Sequence, residues 1–394
     1  MRILHTSDWH IGRTFHGVDL LADQRRALDA IAGLVAEQDI DVVVVPGDVY
    51  DRSIPSSDAV AVCNAGFEAI RAAGAVIVAT SGNHDSPVRL GAGAAFAAHG
   101  GLHLITRVSQ IEHPVVLEDR HGAVAFYGLP YLEPEITRAE LGVPTARSHQ
   151  EILDAAMRRV REDAARRGGR TVVLAHAFVV GAEPTGSERS ISVGGVETVS
   201  AASFAGADYV ALGHLHSPQT VAEHVRYSGS PLPYSFGERT HRKAVWIADL
   251  DETGLRSVER IDLPVVRPLT KLTGTLDTLL GDPAHAEATE HYVSATLTDQ
   301  VRPLDSMRKL QERFPHAVHV EWQRPASFSE GTYRDKVRGR SDVQIAEAFL
   351  GDVRSAPSPR ELGWIDQALR DADRKQGVGD SLPGADRART DVPA

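Results

Sequence analysis

The chain has 394 residues, of which 42% are hydrophobic and 24% charged, and its formal net charge is −11. This length predicts two or three domains, and the apolar fraction is sufficient for a sizeable core. No apolar run reaches the roughly 18 residues that cross a bilayer, and the first residues lack an export-signal pattern, so we expect no membrane association. The negative charge disfavours a broad basic face for DNA, although metal-binding carboxylates would contribute to this count.

Cys63 is the only cysteine, which rules out an intrachain disulfide. A single cysteine suits a reducing compartment, so we expect a cytoplasmic protein. The hydrophobic residues around Cys63 recur at helical spacing and predict that it is a small buried core residue.

Strands and helices alternate along the first part of the chain. The predicted elements are strand 1–6, helix 20–38, strand 41–46, helix 57–73, strand 75–80, strand 124–128, helix 151–168, and strands 171–175, 209–212, 225–228 and 244–248. Strands that are linked by helices pair in parallel, with the helices on the faces of the sheet. We therefore predict a layered α/β domain at residues 1–265.

A smaller pattern follows a proline-containing segment at 263–269, which we interpret as a hinge. Its predicted elements are strand 291–298, helix 306–314 and strand 317–322. They predict a small α+β capping domain at 266–326.

Two short helices are predicted within residues 342–375, between a polar linker at 327–341 and a disordered tail at 376–394. In the first helix Ala346, Phe349, Leu350 and Val353 form an i, i+3, i+4, i+7 stripe, and the second begins with the capping-box sequence SPRE. Such stripes could pack on the chain's own core or dock on a partner. A helix pair that follows a polar linker favours docking.

Five polar motifs stand directly after strand-like runs, where α/β enzymes place their catalytic groups. They are DWH at 8–10, GDVYD at 47–51, GNHD at 82–85, His176, and GHLH at 213–216. Asp8 and His10 are two residues apart, so in extended backbone their side chains would share one face. Oxygen and nitrogen donors without a thiolate favour manganese, iron or zinc. Two such ions about 3.5–4 Å apart suit in-line displacement at phosphorus.

A single histidine after a strand is more often a hydrogen-bonded core residue than a metal ligand. Five such motifs in order instead predict one shared site, that of a metal-dependent phosphoesterase. Its candidate residues are Asp8, His10, Asp48, Asn83, His84, His176, His214 and His216. The carboxylate of Asp48 can bridge two cations, and His84 could bind metal or transfer a proton.

The order of these motifs resembles the calcineurin-like metallophosphoesterase superfamily. Within it, longer strings are similar to the SbcD-type nuclease subunits of the bacterial SbcC–SbcD DNA repair complex: SDWHIGR, GDVYDRSIPS, TSGNHDSPVRL, ALGHLHSPQ and YSGSPLPYSFGE. The resemblance covers about residues 1–370. It implies a layered β-sandwich flanked by helices, followed by a capping domain and C-terminal helices.

The resemblance implies a role for each candidate residue. Two manganese ions would be held by two groups that share Asp48: Asp8, His10, Asp48 and His216, and Asp48, Asn83, His176 and His214. His84 would contact the scissile phosphate and help the 3′ oxygen to leave, which is a general-acid role. Asp51 would support the site without binding metal.

The resemblance also implies a 3′–5′ exonuclease for double strands and an endonuclease for single strands and hairpins, acting in DNA repair, recombination and replication. The expected partners are an SbcC-type ATPase in a heterotetramer, which would bind the segment 342–375, and a second copy through the nuclease domain. Its location would be the cytoplasm, at the nucleoid. Candidates for contacts with DNA phosphates are Arg13, His16, Arg52 and Arg89.

Two alternative functions remain open. A small-substrate nucleotide phosphodiesterase would share every ligand but should lack the second domain and the partner helices. A non-catalytic scaffold for DNA ends should have lost a ligand or His84, and this sequence retains them all.

Overall fold

The computed structural model describes residues 1–188, 198–323, 339–353 and 357–378. The chain divides into two compact units, Met1–Thr270 with Glu290–Tyr292, and Lys271–Thr289 with Val293–Ala394. Most of the predicted linker and the predicted tail from residue 379 onward lie outside the described residues.

The first unit is built from strands with helices between them. Its strands are β1 (Arg2–His5), β2 (Thr14–Phe15), β3 (Val18–Asp19), β4 (Val42–Pro46), β5 (Val76–Thr80), β6 (Leu102–Ile105), β7 (Val115–Asp119), β8 (Gly122–Leu129), β9 (Arg170–His176), β10 (Phe178–Val179), β11 (Thr198–Val199), β12 (Tyr209–Gly213), β13 (Gln219–Ala222), β14 (Val225–Tyr227), β15 (Ala244–Asp251) and β16 (Gly254–Asp262). Its helices are α1 (Leu21–Glu37), α2 (Ser57–Ala72), α3 (Pro87–Leu90), α4 (Ala94–His99), α5 (Pro134–Thr137) and α6 (His149–Arg167).

Most of these strands form two six-stranded sheets. The strand orders are β16-β15-β1-β4-β5-β6 in the first sheet and β13-β14-β12-β9-β8-β7 in the second. β1, β4, β5 and β6 pair in parallel, as do β8, β9, β12 and β14, whereas β15 runs antiparallel to β1. The predicted layered α/β fold with parallel pairing is therefore confirmed.

Alternation along β4 shows how the layers are filled. Val42 and Val44 belong to the buried cluster that also contains Phe126 of the second sheet, so they lie between the sheets. Val43 and Val45 belong to the cluster on the helical side of the first sheet. Because both faces of this strand are buried, its sequence is a continuous apolar run. Cys63 is fully buried, as predicted.

The second unit contains a small sheet with helices. Its elements are β17 (Leu269–Gly274), α7 (Leu276–Gly281), β18 (Tyr292–Leu297), α8 (Ser306–Arg313), β19 (Ala317–Trp322), α9 (Asp342–Val353) and α10 (Pro359–Val378). The sheet order is β17-β18-β19, with β18 and β19 parallel and linked through α8.

Two boundaries in this part of the chain differ from the sequence prediction. The predicted hinge 263–269 ends inside β17, which begins at Leu269. α10 continues to Val378, so residues 376–378 are helical and do not begin a disordered tail.

The predicted capping box of α10 is present. The N–H of Glu361 donates to Ser358 Oγ at 3.3 Å, and the N–H of Ser358 donates to Glu361 Oε2 at 2.8 Å. Among the residues that the structure describes, no helix has the length and apolar character needed to cross a membrane.

Candidate metal centre

The eight candidate residues follow the ends of five strands of the sandwich. Asp8 and His10 follow β1, Asp48 follows β4, Asn83 and His84 follow β5, His176 ends β9, and His214 and His216 follow β12. The carboxyl ends of parallel strands lie at the same edge of a sheet, so this placement gathers side chains from both sheets.

Asp48 lies at the middle of the cluster. Its Oδ2 is 3.5 Å from His10 Nε2 on one side and 3.5 Å from His176 Nε2 on the other. His10 Nε2 is in turn 3.0 Å from His216 Nε2, and His176 Nε2 is 2.9 Å from Asn83 Oδ1. The two sets of predicted ligands therefore meet at Asp48.

Asp8, His84 and His214 complete the cluster. Asp8 offers an oxygen within 4.8 Å of donor atoms of Asp48, His176, His10 and His216. The N–H of His214 donates to both oxygens of Asp8 at 2.9 and 3.1 Å, and its ring lies 5.3 Å from that of His176. The structure thus brings all eight predicted residues together, while their individual roles stay predictions.

The backbone of the ligand loops differs from the extended form that the sequence analysis assumed. Asp8, His10, Asp48 and His214 all have positive φ, at 53°, 45°, 50° and 107°. This region costs a residue with a side chain on the order of 1–3 kcal/mol, and it is tolerated where the surroundings hold it in place. Convergence of Asp8 and His10 therefore comes from left-handed turns and not from strand alternation.

Two glycines permit the close packing of these loops. Gly47 has φ of 91°, and a Cβ there would lie 2.4 Å from His176 Nδ1. A Cβ at Gly82 would lie 2.1 Å from Asp48 Oδ1. Any larger residue at either position would displace a predicted ligand.

The donor set fits a cation. His176 Nδ1 is bonded to the carbonyl oxygen of Pro46 at 3.0 Å, so it carries the ring proton and Nε2 presents a lone pair. That lone pair faces Asp48 Oδ2, and the adjacent pair of ring nitrogens, from His10 and His216, also lies beside a carboxylate. A cation between these atoms would be attracted to all of them, and neutral imidazole with carboxylate is a common set for divalent transition metals.

Burial prepares the histidines for this role. It lowers the pKa of His10, His176 and His216, and it lowers the pKa of His214 to about 3, so all four are neutral at pH 7. Burial opposes ionisation of Asp48 as well, but the positive charge that His176 and His10 carry when they are protonated outweighs it and lowers the pKa of Asp48 to about 2.

His84 is held differently from the buried histidines. Its side chain is 14% exposed, and its Nδ1 lies 2.8 Å from the carbonyl oxygen of Asp51. Its backbone N–H donates to Asp48 Oδ1 at 2.9 Å, and its ring stands edge-on to that of His10 at 4.6 Å. His84 is thus at the cluster and reachable from solvent.

Three of the four DNA-contact candidates lie in or beside the segment 51–53. Arg13 Nη1 is 3.7 Å from Asp51 Oδ1, Arg52 Nε is 3.8 Å from Asp51 Oδ2, and Arg89 Nη1 donates to the Ser53 carbonyl at 3.4 Å. His16 lies elsewhere, in the tight turn between β2 and β3, where its ring contacts Phe236 at 5.4 Å.

Several residues that touch the cluster are not among the eight candidates. Ser7 Oγ donates to Asp8 Oδ2 at 2.6 Å, and Glu188 accepts from the N–H of His216 at 3.0 Å. The ring of Tyr234 lies 5.5 Å from that of His10 and 5.6 Å from that of His216. Ser7 and Tyr234 fall within the quoted strings, whereas Glu188 has no local signal.

The geometry agrees with the family match. Residues 1–218 match the calcineurin-like phosphoesterase family, and this range holds more than half of the chain and all eight candidate residues. The chain belongs to the calcineurin-like phosphoesterases. Its family implies metal-dependent hydrolysis of phosphoesters, and the cluster around Asp48 supplies residues for a dimetal site.

Solved structures similar to this calcineurin-like phosphoesterase include three that share little sequence with it. TT1561 of Thermus thermophilus is 14% identical, with a TM-score of 0.40, over 68% of this chain and 99% of its own. A dimetal phosphatase from Danio rerio is 12% identical, with a TM-score of 0.39, over 67% and 98%. GAP50, the anchor in the inner membrane complex of Plasmodium, is 10% identical, with a TM-score of 0.37, over 84% and 99%.

Proposed function

We propose that this chain is the manganese-dependent DNA nuclease subunit of an SbcD-type complex. It would act as a 3′–5′ exonuclease on double strands and as an endonuclease on single strands and hairpins, in DNA repair and recombination. One observation supports an SbcD-type activity over the other activities of the family. The segment 227–238, which belongs to the SbcD-like strings and lies beyond the matched range, packs against the metal cluster.

This segment contacts the cluster along its length. Ser228 Oγ lies 2.7 Å from Ser7 Oγ, next to Asp8. The hydroxyl of Tyr234 donates to the Trp9 carbonyl at 2.5 Å, between the two ligands of the first motif. A string that resembles SbcD-type nucleases therefore helps to build the site itself, which favours an SbcD-type activity over that of a generic phosphoesterase.

The residues of the site suit hydrolysis of a phosphodiester. The seven predicted ligands would hold two divalent ions, which polarise phosphoryl oxygens and lower the pKa of water. His84 Nδ1 donates its proton to the Asp51 carbonyl, so the proton for the leaving 3′ oxygen would be the one that the imidazolium form of His84 carries on Nε2. Asp51 would orient His84 through its carbonyl and Arg13 through its carboxylate. Manganese is the proposed metal because the mixed oxygen and nitrogen donors suit it and the resemblance implies it.

The surface beside His84 can receive a polyanion. Arg52 belongs to the segment 51–53, and Arg13 and Arg89 contact this segment. Its residue Asp51 also contacts His84. A cavity of about 400 Å³ opens beside Asp51, with Arg52 and Ile54 in its wall. We propose that these arginines contact phosphates on one side of the scissile bond, as positioning contacts that carry no sequence information.

The proposal includes partners and a location. An SbcC-type ATPase would bind α9 and α10, a second copy would bind through the nuclease domain, and the complex would act on DNA ends and hairpins at the nucleoid in the cytoplasm. Phe349 on α9 and Trp364 on α10 are 50% and 58% exposed, which supports docking of these helices on a partner.

A nuclease assay tests the proposal. Blunt duplex DNA, hairpin DNA and a chromogenic phosphodiester are incubated with the full chain and MnCl₂, with and without the SbcC-type ATPase and ATP. We expect mononucleotide release from 3′ ends and opening of hairpins, both abolished by a chelator and by Asp48→Asn.

Two results would contradict the proposal. Hydrolysis of the chromogenic diester while DNA stays intact, even with the partner, would identify a small-substrate phosphodiesterase. Binding of DNA ends without cleavage of any substrate would identify a scaffold.

A further inference from the structure

A chain of hydrogen-bonded polar side chains leads away from the metal cluster behind His216. Ser187 Oγ lies 2.6 Å from His216 Nδ1 and 2.6 Å from Glu238 Oε1. Glu238 Oε2 forms an ion pair with Lys243 Nζ. Glu238 and Lys243 are 1% and 7% exposed, so two charged residues are buried at this point of the fold. None of the three residues is among the predicted ligands.

Counting protons along this chain fixes the direction of each hydrogen bond. The carboxylate of Glu238 only accepts, so the single proton of Ser187 Oγ is donated to Glu238. The nearby hydroxyl of Thr185, 3.1 Å from Ser187 Oγ, gives its own proton to Glu188 at 2.8 Å. Ser187 Oγ must therefore accept from His216, and Nδ1 of His216 carries the ring proton.

Lys243 holds the far end of the chain in place. Its ammonium donates to the carbonyl oxygen of His216 at 2.7 Å, to Ser230 Oγ at 3.0 Å, and to Glu238. All three of its protons are used, which a buried ammonium requires. Lys243 thus fixes both the backbone of His216 and the carboxylate that orders Ser187.

The opposite ring nitrogen of His216 faces the metal cluster. His216 Nε2 lies 3.0 Å from His10 Nε2 and shares a ligand group with Asp8 and His10. With the proton kept on Nδ1, the lone pair of Nε2 points at the place where an ion would be held. Hydrogen bonds of this kind orient metal-binding histidines and raise their basicity.

We propose that Ser187, Glu238 and Lys243 form a positioning relay that fixes the tautomer of His216 and so strengthens one of the two metal sites. The inference rests on the dimetal site of the proposed function and not on DNA as the substrate. Without the hydroxyl of Ser187 the ring of His216 can place its proton on Nε2, where the proton competes with the ion. The other predicted site, which lacks His216, does not depend on the relay.

Calorimetric titration with MnCl₂ tests the relay without any substrate. Ser187→Ala should weaken binding of one ion about 10- to 100-fold and leave the affinity of the second ion unchanged. Ser187→Thr keeps a hydroxyl and should restore most of the lost affinity. Thermal unfolding of the metal-free variants should match that of the original chain, because Ser187 lies in a partly exposed loop.

Ser203→Ala is the matched control. Ser203 Oγ also donates to a carboxylate, that of Asp154, at 2.6 Å, but it lies outside the metal cluster, so both affinities should stay unchanged. If Ser187→Ala bound both ions with unchanged affinity, the relay alone would be overturned. The same would follow if Ser203→Ala lost as much manganese affinity as Ser187→Ala. Fewer than two ions in the original chain would overturn the dimetal site together with the relay.

Discussion

The hydrogen bonds of His84 leave one of its ring nitrogens available for chemistry. Nδ1 is bonded to the Asp51 carbonyl at 2.8 Å, and the side chain is partly exposed beside buried ligands. Such a residue can meet a substrate phosphate without being needed to hold the ions. A variant of His84 should therefore affect turnover without affecting metal binding, whereas a variant of a ligand should affect both.

His84→Ala is expected to retain manganese binding and to lose most hydrolysis. Removal of a general acid typically costs about 10²- to 10⁴-fold in turnover, whereas loss of a ligand would also weaken metal affinity. Calorimetry with MnCl₂ and initial rates on a chromogenic phosphodiester measure the two effects separately. His99→Ala, on the exposed end of α4, is the control and should leave both unchanged. Turnover equal to that of the original chain would refute a catalytic role.

The candidate ligands could be identified from sequence because each lies within a few residues of a strand end. Their geometry could not, because the positive φ of Asp8 and His10 depends on the packed surroundings and not on the local sequence. Ser187 and Glu238 also escaped prediction. Ser187 is 29 residues from His216 in the sequence, and Glu238 is 51 residues from Ser187, so only the folded chain brings them together.

At the scale of elements, central strands were easier to predict than edge strands. β4 and β5 are buried on both faces and appear as apolar runs. β16, with the sequence GLRSVERID, lies at the edge of the first sheet, and most of its residues are charged, polar or glycine. β7 lies at the edge of the second sheet and alternates between partly buried and exposed residues. Edge strands are paired on one side only, so their sequences need less apolar character.

An ion pair ties the edge of the second sheet to its interior. Arg170, at the start of β9, donates to both oxygens of Asp119, at the end of β7, at 3.0 and 2.6 Å. The side chains are 5% and 14% exposed. Hydrogen bonds from Arg170 hold the pKa of Asp119 well below its usual range, so the folded state favours the ionised carboxylate.

Asp119→Asn should lower the free energy of unfolding by about 2 kcal/mol at pH 7, because Arg170 loses its charged partner. The native pKa is depressed, so the pair contributes stability above the unfolded pKa of about 4 and loses it as pH falls below that value. Urea unfolding of the two proteins at pH 7 and at successively lower pH should show that the difference between their free energies of unfolding decreases as the pH falls.

A second pair provides the control for this substitution. Arg260 and Asp262 are 3.0 Å apart but 39% and 50% exposed, so Asp262→Asn should change stability by no more than about 0.5 kcal/mol. The stabilising role of the Asp119–Arg170 ion pair would be contradicted if Asp119→Asn did not lower the free energy of unfolding at pH 7. It would also be contradicted if the difference between the two proteins did not change with pH.

At the scale of the whole molecule, the chain joins a phosphoesterase sandwich to a second unit that the family match does not cover. The match ends at residue 218, while the first unit continues to Thr270 and the second begins at Lys271. Sequence patterns predicted the α+β elements of the second unit, although not β17 or α7, which follow the proline-containing segment. Prolines in that segment looked like a break in structure, yet regular pairing resumes directly after them.

The C-terminal helices provide the test of this larger organisation. Deletion of residues 342–394 should abolish co-purification with an SbcC-type ATPase, because it removes α9 and α10 with the exposed Phe349 and Trp364. Hydrolysis of a chromogenic phosphodiester with manganese should persist, since every predicted ligand lies in the first unit.

Point variants distinguish the contribution of the exposed apolar side chains to partner binding from that of the helices as a whole. Phe349→Glu combined with Trp364→Glu should weaken the complex at least about tenfold, because charged groups replace the apolar anchors of a helix docked in a groove. Asp371→Asn, a change at a residue of α10 that is 57% exposed, should leave the affinity unchanged. Binding measured by surface plasmon resonance distinguishes the two. If the double variant and the deletion both bind the ATPase as the full chain does, these helices pack within the chain or serve another partner, and docking must be sought elsewhere on the second unit.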